Sequence, residues 1–306
     1  MKSYIGLGGI GGSIANKLSV SINGKDAEFL IVDWLCESYN NDSNKVKTIN
    51  FSSSNSVGEI LDRFPEMKEW FGNSSVIRHW IGPNERIIAR LYFETYLKSY
   101  NLLDDIFTED YNDVLEINII TTSFGATGSG ILWSLILYIK EYFCKKENAN
   151  HKINVLIILP EFIEDKIISS AEKNIHKVRT YAFLREMFAL NKHFTSDDPC
   201  KNIISNMFCC DLLKDSLCFI DNSVIYDKKA LENNNYIKEI IGLISNNAQS
   251  SREENHLIPE TINMISQRYK RMYDEYICTL NMDNKEIITP HLDKIWHMAL
   301  LPISTN

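Results

Sequence analysis

The 306-residue sequence predicts an α/β fold, a mostly parallel sheet with helices on both faces. Two observations carry that expectation. Two glycine-rich stretches, GLGGIGG at 6–12 and GATGSG at 125–130, each stand between a strand-like apolar run and a helix-like run. Two β-branched runs, 114–120 and 153–159, have the character of central parallel strands covered on both faces. With 44% hydrophobic residues the chain can bury a full core in one large domain or two modest ones.

In chain order, a short strand over 3–5 enters the first glycine stretch, and Ile14, Ala15, Leu18 and Val20 follow as a helical face. Gly6, Gly8 and Gly11 satisfy GxGxxG, the Rossmann-type dinucleotide pattern, and a second strand over 28–33 ends in Asp33. An NAD or adenylate site is one reading of this unit, and another nucleotide is as good a reading. Asp33 either meets a ribose or caps the strand end. Residues 37–80 read as loops with one short helix. A turn at 81–86 then opens a helix whose apolar positions Ile87, Ile88, Leu91, Tyr92, Tyr96 and Leu97 would dock on the sheet, leaving Glu85, Arg86, Arg90 and Glu94 mostly outward. Asn84 and Arg86 stand at the mouth of that helix, as cap and solvated charge or as ligand contacts.

The second glycine stretch follows the strand at 114–120 and precedes a helix over 131–142. Its glycines Gly125, Gly128 and Gly130 let amide groups converge on an anion, Thr127 and Ser129 add hydroxyls, and the helix presents its positive end to the same charge. A plain strand-to-helix turn is the alternative. After the strand at 153–159, the acidic loop 160–166 with Glu164 stands where open α/β sheets place ligands. A long helix over 170–190 follows, and a short strand over 215–222 ends in Asn222, which can either read a purine edge or close a turn. Pro259 opens a further helix. Beyond it Asp283 and Glu286, three positions apart, would share a helical face and position water at a phosphoryl group, or else form a solvated helix start.

Charge and composition bound the partners. A net charge of −8 argues against a surface that coats nucleic acid, while leaving room for a local nucleotide pocket. No apolar run reaches membrane-spanning length and the N-terminus has no signal-peptide pattern, so a cytoplasmic protein without membrane association is expected. Seven cysteines without a CxxC pair read as reduced thiols, the seven histidines are scattered, and no metal-ligating residues are assigned.

Taken together, the loops resemble those of tubulin and bacterial FtsZ in order and approximate spacing. FGATGSG at 124–130 is similar to the GGGTG[ST]G signature, with Phe124 and Ala126 replacing two glycines. GLGGIGG resembles the family's first phosphate loop, CFIDN at 218–222 the strand ending in the guanine-reading Asn, and NMDNKE at 281–286 the synergy loop NxDxx[DE]. The resemblance implies a Rossmann-like GTPase domain of tubulin/FtsZ type over 1–255. A central helix, synergy-type loop and short terminal strand would occupy 256–306, without the family's full second domain. It further implies a GTPase binding GTP or GDP with Mg2+, assembling head to tail into a cytoskeletal filament, with Asp283 and Glu286 completing the neighbouring subunit's catalytic site. A GTP-binding switch or partner module that does not polymerise is the alternative within the family. The nucleotide contacts it implies are Gly8, Gly9, Ile10, Gly11, Gly12 and Ser13 in the first loop, Asn84, and Gly125, Ala126, Thr127, Gly128, Ser129 and Gly130 in the second, with Asp33 kept as a nucleotide contact from the dinucleotide pattern. Glu164, Asn222 and, on the central helix, Asn263 (or Asn255) complete the set.

Overall fold

The computed structural model describes residues 2–22, 27–34, 46–70, 86–100, 115–145, 151–160, 170–194 and 206–210, with the helical residues Gln267, Lys270 and Asp274. Among the described residues six strands, β1 Lys2–Leu7, β2 Ala27–Asp33, β3 Val46–Asn50, β4 Leu115–Thr122, β5 His151–Ile158 and β6 Asn206–Cys210, form one sheet. Its order is β3-β2-β1-β4-β5-β6, and every pairing is parallel. The helices are α1 Gly8–Ser21, α2 Val57–Arg63, α3 Arg86–Ser99, α4 Ala126–Lys145 and α5 Ser170–Phe194, with a 3-10 turn at Pro65–Trp70. The expected α/β class is therefore present, with every strand of the described residues parallel.

Strand order dictates where the helices go. From β1 the chain builds outward to β2 and β3, and from β4 it builds the other way to β5 and β6, so right-handed crossovers place α1 and α4 on opposite faces. Side-chain alternation agrees. Ile5, Leu7, Leu30, Val32, Ile119, Val155 and Ile157 belong to one apolar cluster with residues of α3, α4 and α5. The alternate positions Tyr4, Phe29, Ile31 and Ile120 are equally buried on the other face, where α1 brings Ile14, Ala15 and Leu18 against β1, β2 and β4. Ile131, Leu132, Trp133, Leu135 and Ile136 of α4 are all buried, as befits a helix that is apolar nearly all round.

Several elements differ from expectation. Residues 46–50, within a stretch read as loop, form the edge strand β3; only Val46 and Ile49 of its five residues turn inward, too few for a clear alternating pattern. α2, the short helix expected there, carries a capping box in which Ser56 and Glu59 bond each other's backbone amides. Val20 is 48% exposed, because it lies six residues after Ile14 and so about 240° around the helix from it. Arg86 and Arg90, expected outward, are buried at 8% and 9% exposure. Of segment 256–306 only Gln267, Lys270 and Asp274 are described; they are helical and exposed, with Lys270 paired to Asp274. No helix among the described residues is long and apolar enough to cross a membrane.

Tyr4 stacks on Phe29 across β1 and β2 at 5.3 Å and 12°. Burial, with a smaller contribution from the Glu116 carboxylate, pushes its phenol from 10.0 up to about 12. The unfolded chain therefore loses the Tyr4 proton at lower pH than the folded one. The stabilisation is whole below pH 10 and falls away as pH rises toward 12, by roughly 2–3 kcal/mol in total. Urea unfolding at pH 9 and above pH 11 is expected to show that Tyr4→Phe loses less stability over this interval than the parent.

Candidate functional site at the β1–β4 crevice

The chain reverses its direction of travel across the sheet between β1 and β4, and both strands lead into helices that start almost at once. Gly8 is the first residue of α1, directly after β1, so the first glycine stretch is mostly helix rather than loop. Only residues 123–125 separate β4 from α4, so Ala126, Thr127, Gly128, Ser129 and Gly130 form the opening turns of α4.

The two starts meet. Gly8 has φ +68, a left-handed conformation that suits glycine, and a Cβ there would lie 3.0 Å from the Gly128 amide nitrogen. A Cβ on Gly128 would lie 2.6 Å from the Leu7 carbonyl oxygen, and one on Gly11 would lie 2.4 Å from that of Ile120. Each helix thus rests on the end of the other helix's strand. These glycines are required by packing alone, whatever binds nearby. Gly9 differs: it is exposed, its φ is ordinary, and a Cβ there would meet nothing within 4 Å.

Neither helix start carries a compensating negative charge. The N-cap of α1 is Leu7, which makes no side-chain cap, and no acid stands in the first turn of α1 or of α4. Gly125, just ahead of α4, has no side chain to cap with. Amides in the opening turn of a helix lack partners one turn back, so those of Ala126, Thr127 and Gly128 make an anion-favouring edge beside Gly8.

The intervening loop is fixed from beneath. The Ser123 amide donates to the Ile158 carbonyl at 2.9 Å, prolonging the β4–β5 pairing, and its hydroxyl shares a 2.9 Å hydrogen bond with Thr180 of α5. The Gly125 amide donates to Thr122 Oγ1 at 3.2 Å. Phe124 is buried and packs on His176 of α5 with ring centroids 4.9 Å apart. Ser129 is buried as well: its hydroxyl donates to the Gly125 carbonyl and accepts from Arg86 Nε at 2.9 Å. Ser13, by contrast, is exposed on α1 and donates to the Gly9 carbonyl one turn back at 2.8 Å.

Arg86 is the residue that pattern reading misplaced. It starts α3, donates from Nη2 to both the Ser129 carbonyl and Glu186, and lies over the Phe183 ring at 5.3 Å. Arg90, one turn on, reaches the other Glu186 oxygen at 3.5 Å and Glu94 at 3.7 Å. An outward reading from helical periodicity could not see Glu186, which lies 100 residues further along the chain.

Of the other expected site residues, Gly12 is buried in α1 and Ile10 is half-buried. Asp33 closes β2 at the same edge of the sheet, and its Oδ1 accepts the Trp34 amide at 2.8 Å. Asn84, Glu164, Asn222, Asn255, Asn263, Asp283 and Glu286 lie outside the described residues.

No protein-family model matches the chain, and no curated protein does. Among solved structures it is similar to a GTPγS-bound protofilament of CetZ2 from Haloferax volcanii, at 14% identity and TM-score 0.41, covering 85% of this chain and 59% of that one. A GTPγS-form protofilament of TubZ from Bacillus thuringiensis serovar israelensis gives 14% identity and TM-score 0.45, with coverage of 81% and 55%. The PhuZ201 filament gives 14% and 0.39, with coverage of 87% and 62%. These are tubulin/FtsZ-like proteins. The likeness is loose and the chain spans little more than half of each, so the fold class rests on the sheet itself.

The two kinds of glycine separate experimentally. Gly128→Ala forces a methyl group onto the Leu7 carbonyl and is expected to destabilise the fold by roughly 2–3 kcal/mol. Gly9→Ala should stay within about 1 kcal/mol of the parent, since its methyl points into open space and alanine favours a helix. Parallel denaturant titrations measure both.

Proposed function

We propose that the chain is a GTP-binding protein of the tubulin/FtsZ type. We further propose a GTPase that associates head to tail, so that Asp283 and Glu286 of one subunit complete the site of the next. The observation that carries the reading is the meeting of two acid-free helix starts, the first without a side-chain cap and the second preceded by Gly125, through the Gly8–Gly128 contact at the switch point between β1 and β4. In open α/β sheets that crevice is where ligands sit, and two positive helix ends suit a run of phosphates better than a single charge. A single dinucleotide loop at 6–12 would account for α1 but not for an equally acid-free start of α4 beside it.

The residues present fit a phosphate chain. Gly9 offers backbone approach with no side chain in the way, and the Gly128 amide of α4 lies against Gly8, the residue before it. Mg2+, when bound with the nucleotide, supplies neutralisation of phosphate charge. The likeness of the second loop to the GGGTG[ST]G signature, and of 281–286 to the synergy loop, supports guanine nucleotide and the shared site. Asn222 and Asn263 are the proposed contacts to the base, Asn84 and Glu164 lesser ones, and Asp33 lies at the same edge.

Purified protein is expected to bind GTP and GDP in preference to ATP and NAD by calorimetry; equal binding of all four sinks the guanine assignment. Gly9→Ala, whose fold stays intact, should weaken GTP binding by about tenfold or more, because a methyl group would stand where a phosphate approaches. Asp283→Ala should leave binding unchanged and abolish turnover. Turnover per molecule should rise with protein concentration together with light scattering, and a flat profile rules out the shared site.

A further inference from the structure

We infer that Arg86 is a positioning residue for the opening turn of α4, acting through Ser129 and held in place by Glu186. The inference rests on the nucleotide site proposed above for its ligand and on the structure alone for its mechanics.

The guanidinium makes three bonds in three directions. Nε donates to Ser129 Oγ at 2.9 Å, and Nη2 donates to the Ser129 carbonyl at 3.3 Å and to Glu186 Oε2. Ser129 in turn donates to the Gly125 carbonyl, so one planar group fixes the side chain and main chain of the first turn and, through them, the residue before the helix. The α3 backbone comes in equally close, since a Cβ on Gly130 would lie 2.4 Å from the Arg86 carbonyl oxygen. Glu186 and Phe183 hold the guanidinium on its far side, and Arg90 shares the same carboxylate.

The anchor is a stripe of α5. Phe183 and Glu186 hold Arg86, and Thr180 and His176, one and two turns earlier, hold Ser123 and Phe124. Residues 176, 180, 183 and 186 recur at helical spacing, so a single face of α5 supports the whole segment 123–129 from below. The amides of Ala126, Thr127 and Gly128 project from the turn that Arg86 locks. A lysine would keep the charge opposite Glu186 but could not reach Ser129 Oγ, the Ser129 carbonyl and Glu186 together from one rigid plane.

Arg86→Lys is the test, with Glu186→Gln as a second variant that keeps the shape of the anchor and removes its charge. In the ligand-free protein, hydrogen exchange at residues 129–132, the first α4 amides bonded one turn back, should speed up in Arg86→Lys while β1, β4 and β5 keep parental protection. GTP affinity should drop by about tenfold, with an unchanged preference over ATP. Glu186→Gln should show the same pattern to a lesser degree. Unchanged exchange at 129–132, or faster exchange spread evenly over the sheet, overturns the positioning role. Selective loosening in a protein that binds no GTP upholds the positioning role and overturns the ligand, so the two readings fail separately.

Discussion

Two main-chain contacts set the geometry of everything else: α1 lies on the end of β4 through Gly11, and α4 lies on the end of β1 through Gly128. Each leaves less room than a methyl group needs, so neither helix can shift along its strand without lifting off the other's. The exchange ties together the two halves of a sheet that otherwise grow away from each other. It also brings two helix N-termini to one place, and the Gly8–Gly128 contact is its direct product. A crevice of this kind is a consequence of strand order and of where glycine permits contact, before any side chain chemistry enters.

A second layer of constraint is ionic. Glu186 is 6% exposed and faces two arginines, an arrangement whose desolvation cost largely offsets its attraction. Net stability is therefore a weak reason for its presence. Direction is a better one, because the guanidinium plane satisfies Ser129 and Glu186 at fixed angles where an apolar contact would let α3 slide over α4. The same α5 face that carries Glu186 also carries Thr180 and His176, so packing and hydrogen bonding hold the loop at both ends.

Strands β1, β2, β4 and β5 and the main helices were legible because their signal is local, whereas β6 at 206–210 falls in no run read as a strand. The runs at 115–122 and 151–158 are rich in β-branched apolar residues, interrupted only by Glu116, Asn118 and Asn154 between their first and last apolar positions, and the stripe of Ile87, Ile88, Leu91 and Tyr92 recurs at helical spacing, so each could be placed with its neighbours unknown. β3 was not legible, since an edge strand with two inward residues carries almost no period. Nor was the role of the glycines: GxGxxG marks where a backbone comes close, and here Gly11 and Gly128 approach other parts of the same chain. Only coordinates separate those from Gly9. Arg86 failed for the same reason, because burial of a charge depends on a partner far along the chain. The residues proposed to read a base and to share a site, from Asn222 to Glu286, lie outside the described residues and rest on motif alone.

The two departures from the glycine signature, Phe124 and Ala126, have a physical reading in this setting. Phe124 turns its ring into the interior against His176, so it anchors the loop without placing a side chain at the crevice. Ala126 opens α4 with the best of the helix formers in place of the worst non-proline residue. Both replacements reduce the backbone freedom that glycine would have brought to residues 123–126. A loop built this way has less to lose on ordering around a ligand, and the hydrogen bonds from Ser123 to β5 and α5 remove more of that freedom in advance. The consequence is a loop shaped mainly by the fold, so that for the phosphate ligand proposed above selectivity would rest on fixed geometry and not on loop closure.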